Sequence, residues 1–281
     1  RKARCRPQSR TGLGGALNPV SFSLVTLNTW KNEGAYRQRL RRTADEINTL
    51  KPDAVALQET FCAPEADADT AQWLAMHCGL HVTQAQVRPK PRLFEGRNVP
   101  STSGMALLCR QPWLSSQALP LPSNAADGGR LAQIVSLPCG PHTVRLANLH
   151  LSHLPGAEGA ALRARQLQTV LQRLQALGPA SATLLCGDFN GALGSADMAS
   201  FMGEPWRLLD TFALAGHARE ATFFDGQGNG QVLDHVLLAP VLSTAMVEVT
   251  SAQTVLRCDQ PDADGVTASD HSGLWVRLEL S

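Results

Sequence analysis

Aromatic residues are scarce in this chain, with one tyrosine, five tryptophans and eight phenylalanines making up 5% of 281 residues. A protein that grips nucleic-acid bases by stacking needs several exposed rings, and this composition supplies few such platforms. Net charge is also small: 25 Lys and Arg against 24 Asp and Glu leave +1. No global field therefore draws the chain to nucleic acid or to an anionic membrane, and any such partner must be held by a local patch. No apolar run approaches about 18 residues, so no transmembrane helix is expected. No signal-peptide apolar segment stands near the start, and a cytoplasmic protein is the expectation. The seven cysteines are odd in number and lack a C-x-x-C pair. They predict reduced thiols rather than a disulfide framework or a structural zinc site.

Hydrophobic residues, by contrast, make up 43% of the chain, enough to bury a substantial core. Arg1 to Arg10 holds five basic residues and runs into a Gly-rich stretch. Residues 1–20 read as a disordered basic tail, with a polyanion-binding arm as the alternative. Residues 21–281 read as one domain, expected to work as a monomer.

Local patterns divide this domain into short strands and a few helices. Strands are predicted over Phe22–Asn28, Ala54–Leu57, Met105–Cys109, Thr183–Cys186, Val232–Ala239 and Leu274–Leu280. Arg130–Leu137 and Thr143–His150 read as a hairpin. Leu40, Ala44 and Ile47 share one face of a helix over 36–50 that Pro52 cannot continue. Residues 70–79 and 162–177 also read as helices, with a small-residue loop over 155–161. Residues 84–103, rich in Pro, Arg and Ser, read as a long surface loop. The sum indicates a layered α/β or α+β fold.

Chemistry-bearing residues recur where the apolar runs stop: Asn28, Glu59, Asn148, His150, Asp188, Asn190, Asp234, Asp270 and His271. Rigid strand ends can hold a preorganised constellation. Carboxylates with neighbouring amides suit a hard, oxygen-preferring cation, Mg²⁺ or Mn²⁺. Histidines can donate to a phosphoryl oxygen or move protons. Each residue alone is ordinary, since Asn28 suits a turn and Asp188 a helix cap. Their joint order carries the argument.

In that order, LNTW (27–30), LQE (57–59), ANLHL (147–151), GDFN (187–190), LDHVLL (233–238) and SDH (269–271) resemble the motifs of the endonuclease/exonuclease/phosphatase superfamily. The resemblance implies a DNase I-like four-layer α/β/β/α sandwich, with two packed, mostly antiparallel sheets flanked by helices. It implies a metal-dependent hydrolase of phosphate esters, with Glu59 as principal metal ligand beside Asn28 and Asp270. It further implies that His271, oriented by Asp234, is the general acid/base, that His150 binds the phosphoryl group, and that Asp188 positions or deprotonates the attacking water, with Asn190 holding that water or a phosphate oxygen. Trp30 and Arg97 are the candidate substrate contacts. The family's DNA-repair members place a tyrosine near the phosphate, whereas the one tyrosine here, Tyr36, stands elsewhere.

Three functions follow as expectations. The first is a phosphodiesterase or nuclease, with Arg88, Lys90, Arg92 and Arg97 touching phosphates. The second is a small-molecule phosphoesterase, either sphingomyelinase-like, with residues 111–122 as a membrane-facing apolar loop, or acting on inositol phosphates or nucleotides. The third is a non-catalytic binding module on the same fold.

Overall fold

The computed structural model describes residues 18–281. Most of the predicted basic tail, residues 1–17, lies outside the described residues. The chain runs through β1 (Val20–Asn28), α1 (Tyr36–Leu50), β2 (Ala54–Ala63), β3 (Ala68–Asp69), α2 (Thr70–Cys78), β4 (His81–Phe94) and β5 (Arg97–Cys109). It continues through β6 (Ser115–Leu121), β7 (Arg130–Cys139), β8 (His142–His150), α3 (Gly156–Ala176), β9 (Ala182–Asp188) and α4 (Ala196–Met202). The last elements are β10 (Leu209–Asp210), α5 (Thr211–Leu214), β11 (Phe223–Phe224), β12 (Gly230–Gln231), β13 (Asp234–Leu238), β14 (Val247–Val255) and β15 (Gly273–Leu280).

The strands build two main sheets. One runs β14-β15-β1-β2-β5-β4, with β3 on β2, and the other runs β10-β13-β9-β8-β7-β6. Pairing is antiparallel except at the centre of each sheet, where β1–β2 and β8–β9 are parallel. Parallel neighbours need a crossover, and α1 and α3 provide it. Three apolar clusters account for the layering. Phe22, Leu24, Leu107, Leu146, Leu184 and Val276 pack between the sheets. Leu40 and Ile47 of α1 and Leu74 of α2 cover the outer face of the first sheet. Leu167, Val170 and Leu171 of α3 and Met198 of α4 cover the second. Each fully buried leucine contributes about 1.5–3 kcal/mol. The result is the α/β/β/α sandwich that the motifs imply.

Helix α1 ends where expected. Lys51 takes a left-handed backbone and donates its N–H to the Ile47 carbonyl, and Pro52 follows. Other expectations are corrected. Residues 84–103 belong to the β4–β5 hairpin rather than to a loop. Long strands with one wet face carry Arg, Lys and Pro without losing their pairing, which hides the alternation. Most of residues 111–122 form edge strand β6, paired with β7, so this segment is not a free apolar loop. Residues 156–161 are the first turns of α3. Gly159 is required there because a Cβ would lie 1.7 Å from the Leu154 carbonyl oxygen.

Candidate active site

Because β1–β2 and β8–β9 are parallel, their C-terminal ends emerge at one end of the sandwich. Register then sets Asn28 beside Gln58, and His150 beside Asp188. Antiparallel β13 brings Asp234 opposite Asp188. A buried polar bridge ties the sheets together below these ends. The Asn148 amide donates to the carbonyls of Leu57 (3.0 Å) and Ala106 (3.1 Å) and accepts from Gln58 Nε2 (2.7 Å).

Local backbone distortion aims the side chains. The β2–β5 register breaks between Leu57 and Thr60, and Glu59, in that bulge, has φ 55°. Trp30, Lys31 and Asn190 are also left-handed, with φ of 53°, 44° and 50°. Non-glycine residues adopt this conformation at a cost of roughly 1–2 kcal/mol, and such strain clusters at functional sites. Gly187 serves close approach of neighbouring backbones. It lies within β9 at φ 127°, where a Cβ would stand 2.1 Å from the Leu149 carbonyl oxygen.

Asp188 is the hub. Its Oδ2 accepts from Asn28 Nδ2 at 3.0 Å, and its Oδ1 accepts from the Asn190 backbone N–H at 2.8 Å. Two imidazoles face the same Oδ2, His150 Nε2 at 3.6 Å and His271 Nε2 at 3.9 Å. His271 Nδ1 donates to Asp234 Oδ2 at 2.8 Å, and the ring of Phe223 covers it at 5.0 Å. Burial, reinforced by Asp234, pushes the Asp188 carboxyl up to about 7. Burial opposes charge on His271, but the carboxylates of Asp234 and Asp188 outweigh it and raise its pKa to about 10. Burial, helped by the charges of Arg130 and Lys31, lowers His150 well below the usual imidazole value. The site thus holds one neutral and one protonated imidazole around a carboxylate poised near neutrality.

Glu59 faces His150 through Oε1 at 3.9 Å and the Lys31 ammonium through Oε2 at 2.6 Å. Asp270 is raised above the usual carboxylate range, by burial first and by the neighbouring Glu59 charge in part. Two mutually repelling carboxylates, one already drawing an ammonium, form a donor set that fits a hard divalent cation. Asp188, Asp234 and His271 also offer donor atoms within 4.8 Å of one another. There His271 Nδ1 is engaged by Asp234, so that trio suits proton handling better than ligation. Asn28 is used twice within the protein, its amide on Asp188 and its Oδ1 accepting from the Trp30 N–H at 3.1 Å. It positions Asp188, with one oxygen lone pair left for a cation.

Scaffold residues finish the site. Arg163 and Gln166 of α3 clamp the loop after His150, with Arg163 Nη1 on the Leu154 carbonyl (2.9 Å) and Gln166 Oε1 accepting from the Ser152 N–H (2.8 Å). His235 points away from Asp188 and donates Nε2–H to the Gly191 carbonyl at 2.8 Å. Arg39 donates to five carbonyls, those of Thr29, Trp30, Lys31, Glu33 and Ala268. It thereby fastens the Trp30–Lys31 loop to the segment that carries Asp270.

A small cleft of about 30 Å³ opens beside Glu59 and His150, lined also by Lys31, Arg88 and Arg130. Trp30 is half-buried, with the Arg39 guanidinium 5.1 Å from its ring centre. Arg97 stands at the turn of the β4–β5 hairpin opposite Phe94 and does not line the cleft, whereas Arg88 does. Lys31, Arg130 and Phe223 belong to no motif that would mark them in the sequence, and the tasks of Gln58 and Asn148 do not show in their spacing.

Comparison with curated proteins finds no match. The described fold is shared with solved structures. The catalytic domain of human Nocturnin with bound sulfate anion is 22% identical, covering 93% of this chain and 94% of that one, at a TM-score of 0.69. Humanized D. rerio TDP2 is 18% identical over 92% and 98% of the two chains, at 0.67. An endonuclease/exonuclease/phosphatase from Beutenbergia cavernae is 20% identical over 93% and 72%, at 0.70. The family described as Endonuclease/Exonuclease/phosphatase matches residues 25–271. Family and fold together support a hydrolase of the phosphoesterase or nuclease type. This chain belongs to the endonuclease/exonuclease/phosphatase family.

Proposed function

We propose that the protein is a divalent-metal-dependent phosphodiesterase. The observation that carries this reading is Asp188, buried and poised near neutrality, held by Asn28 and Asn190 between His150 and His271. A carboxylate with that pKa accepts a proton from water at neutral pH. Asp188 takes the proton as the water oxygen attacks phosphorus. His271, kept protonated by Asp234, donates Nε2–H to a phosphoryl oxygen as negative charge grows. His150, neutral, donates from Nε2 on the neighbouring side. The leaving oxygen departs with the bonding pair and takes its proton from solvent. Glu59 and Asp270, with Asn28 beside them, would hold Mg²⁺ or Mn²⁺, which would supply Lewis-acid polarisation of the phosphoryl group. Neighbours in fold support a phosphate-like ligand, since Nocturnin holds a sulfate anion and D. rerio TDP2 is complexed with single strand DNA product.

A second reading, a small-molecule phosphoesterase, is favoured by the small cleft and the near-zero net charge. No helix among the described residues is long and apolar enough to cross a membrane. A substrate panel separates the readings: plasmid DNA, single-stranded oligonucleotides, sphingomyelin, inositol phosphates and a generic phosphodiester. Asp188→Ala and His271→Ala are expected to abolish turnover of the preferred substrate, and full activity in both refutes the assignment.

A further inference from the structure

Beyond the cleft at Glu59 lies a larger furrow of about 490 Å³, lined by Lys31, Asn32, Glu33, Arg88, Lys90, Pro91, Arg92 and Leu93. Four of these residues are cationic and one is acidic. Among the described residues Lys90 and Arg92 form no ion pair, and Arg88 has only a long contact with a carboxylate that another arginine already holds. Arg88 is left-handed, with φ 56°, where the β4–β5 register breaks between Val87 and Lys90. Its Nε donates to the Gly129 carbonyl at 3.3 Å, but its Nη2 is shielded from solvent without a hydrogen-bond partner. The nearest carboxylate, Asp127, is 3.9 Å away and is already bound by Arg130 at 3.1 Å. Arg92 is nearly buried, and its guanidinium meets only the hydroxyls of Ser101 (2.8 Å) and Ser103 (3.0 Å).

Four cationic side chains against one carboxylate leave the furrow with an excess of positive charge, which an anion with several acceptor oxygens offsets. The furrow is also well placed. It shares Lys31 and Arg88 with the cleft lined by Glu59 and His150, yet neither Glu59 nor His150 lines the furrow itself. An anion held there is a neighbour of the reacting group rather than the reacting group itself. Resting on the phosphodiesterase reading for the scissile group, we propose that this furrow binds a second phosphate of the substrate, one linkage away from the phosphate that is cut. The second phosphate belongs either to a small doubly phosphorylated molecule or to the next nucleotide of a strand.

Binding without metal or turnover tests this independently of the chemistry. Titration calorimetry compares adenosine 3′,5′-bisphosphate with the 5′- and 3′-monophosphates on the wild type, Arg88→Gln and Arg88→Lys, each checked by thermal melting. The wild type is expected to favour the bisphosphate by about tenfold or more, as charge-assisted bonds to a guanidinium warrant. Arg88→Gln loses that preference and Arg88→Lys regains part of it. Equal affinity for the three nucleotides in the wild type, no binding of any, or a preference that survives in a folded Arg88→Gln overturns the proposal. A series of thymidine oligonucleotides separates the sources. Affinity that levels off at two phosphates indicates a small molecule, and affinity that climbs with each nucleotide indicates a strand. Asp188→Ala assayed for hydrolysis reports on the catalytic reading alone, so each claim fails separately.

Discussion

Replacing Asn148 by leucine tests how the two sheets are locked beneath the site. The side chain is fully buried, and leucine keeps the same branching with bulkier end groups, so no cavity forms. Two carbonyls, those of Leu57 and Ala106, lose their Asn148 donor, and Gln58 Nε2 loses its shortest acceptor. Gln58 Nε2 keeps Thr26 Oγ1 at 3.0 Å, so the damage falls on the carbonyls. A buried polar group left unsatisfied costs about 1–3 kcal/mol. With two such groups and a partial offset from the added apolar surface, the expected loss is about 3 kcal/mol. At about 2–4 °C per kcal/mol for a chain of this size, the melting temperature falls by roughly 6–12 °C. The Leu57 carbonyl lies at the edge of the bulge that aims Glu59, so turnover also falls, by about a hundredfold if Glu59 shifts by about 1 Å. Urea unfolding at pH 7 and metal-supported phosphodiester hydrolysis measure the two effects. Asn148→Leu within 1 kcal/mol of wild type, with full turnover, refutes the idea that this bridge organises the site.

Gly187→Ala forces a Cβ that would lie 2.1 Å from the Leu149 oxygen to find new space. It is expected to destabilise by about 3 kcal/mol or more and to impair the adjacent Asp188, and urea unfolding together with turnover checks both. His235 is held neutral by burial, its pKa lowered to about 4. The unfolded chain therefore takes up the proton first as pH falls. Stability is fully present above about pH 6.5 and is lost towards pH 4, by about 3 kcal/mol at most. Unfolding free energies at pH 7 and pH 4.5 should show this slope in the wild type and a flatter one in His235→Phe. Arg39→Lys cannot satisfy five carbonyls with three N–H groups. It is expected to destabilise by about 2–4 kcal/mol and to raise the Mg²⁺ concentration needed for half-maximal activity, because the Asp270 segment loosens.

The strand ends were legible because polar residues interrupt apolar runs there, and parallel pairing gathers those ends. Helix α1 was legible from Leu40, Ala44 and Ile47. The hairpin of β4 and β5 was not, because Lys90 and Pro91 stand exposed side by side and Arg92 takes a buried position, which breaks the expected alternation. Strand β14 escaped for a similar reason, with Glu248, Thr250 and Gln253 exposed among buried Val249 and Ala252. Arg39 shows the limit of reading charge from spacing. It lies on the buried face of α1, where its partners are carbonyls supplied by residues far apart in sequence. The bulge at Glu59 and the free Nη2 of Arg88 arise from pairing register, which no single segment encodes.

Phosphodiester hydrolysis by metal-stripped protein, before and after adding Mg²⁺ or Mn²⁺, tests the central claim most directly. Bis(p-nitrophenyl) phosphate serves as the substrate, with wild type, Glu59→Gln and His271→Ala compared side by side. Turnover should vanish on chelation and return with metal in the wild type. It should stay near background in His271→Ala and need far more metal in Glu59→Gln. Metal-independent turnover, or folded variants that match the wild type, would contradict the account.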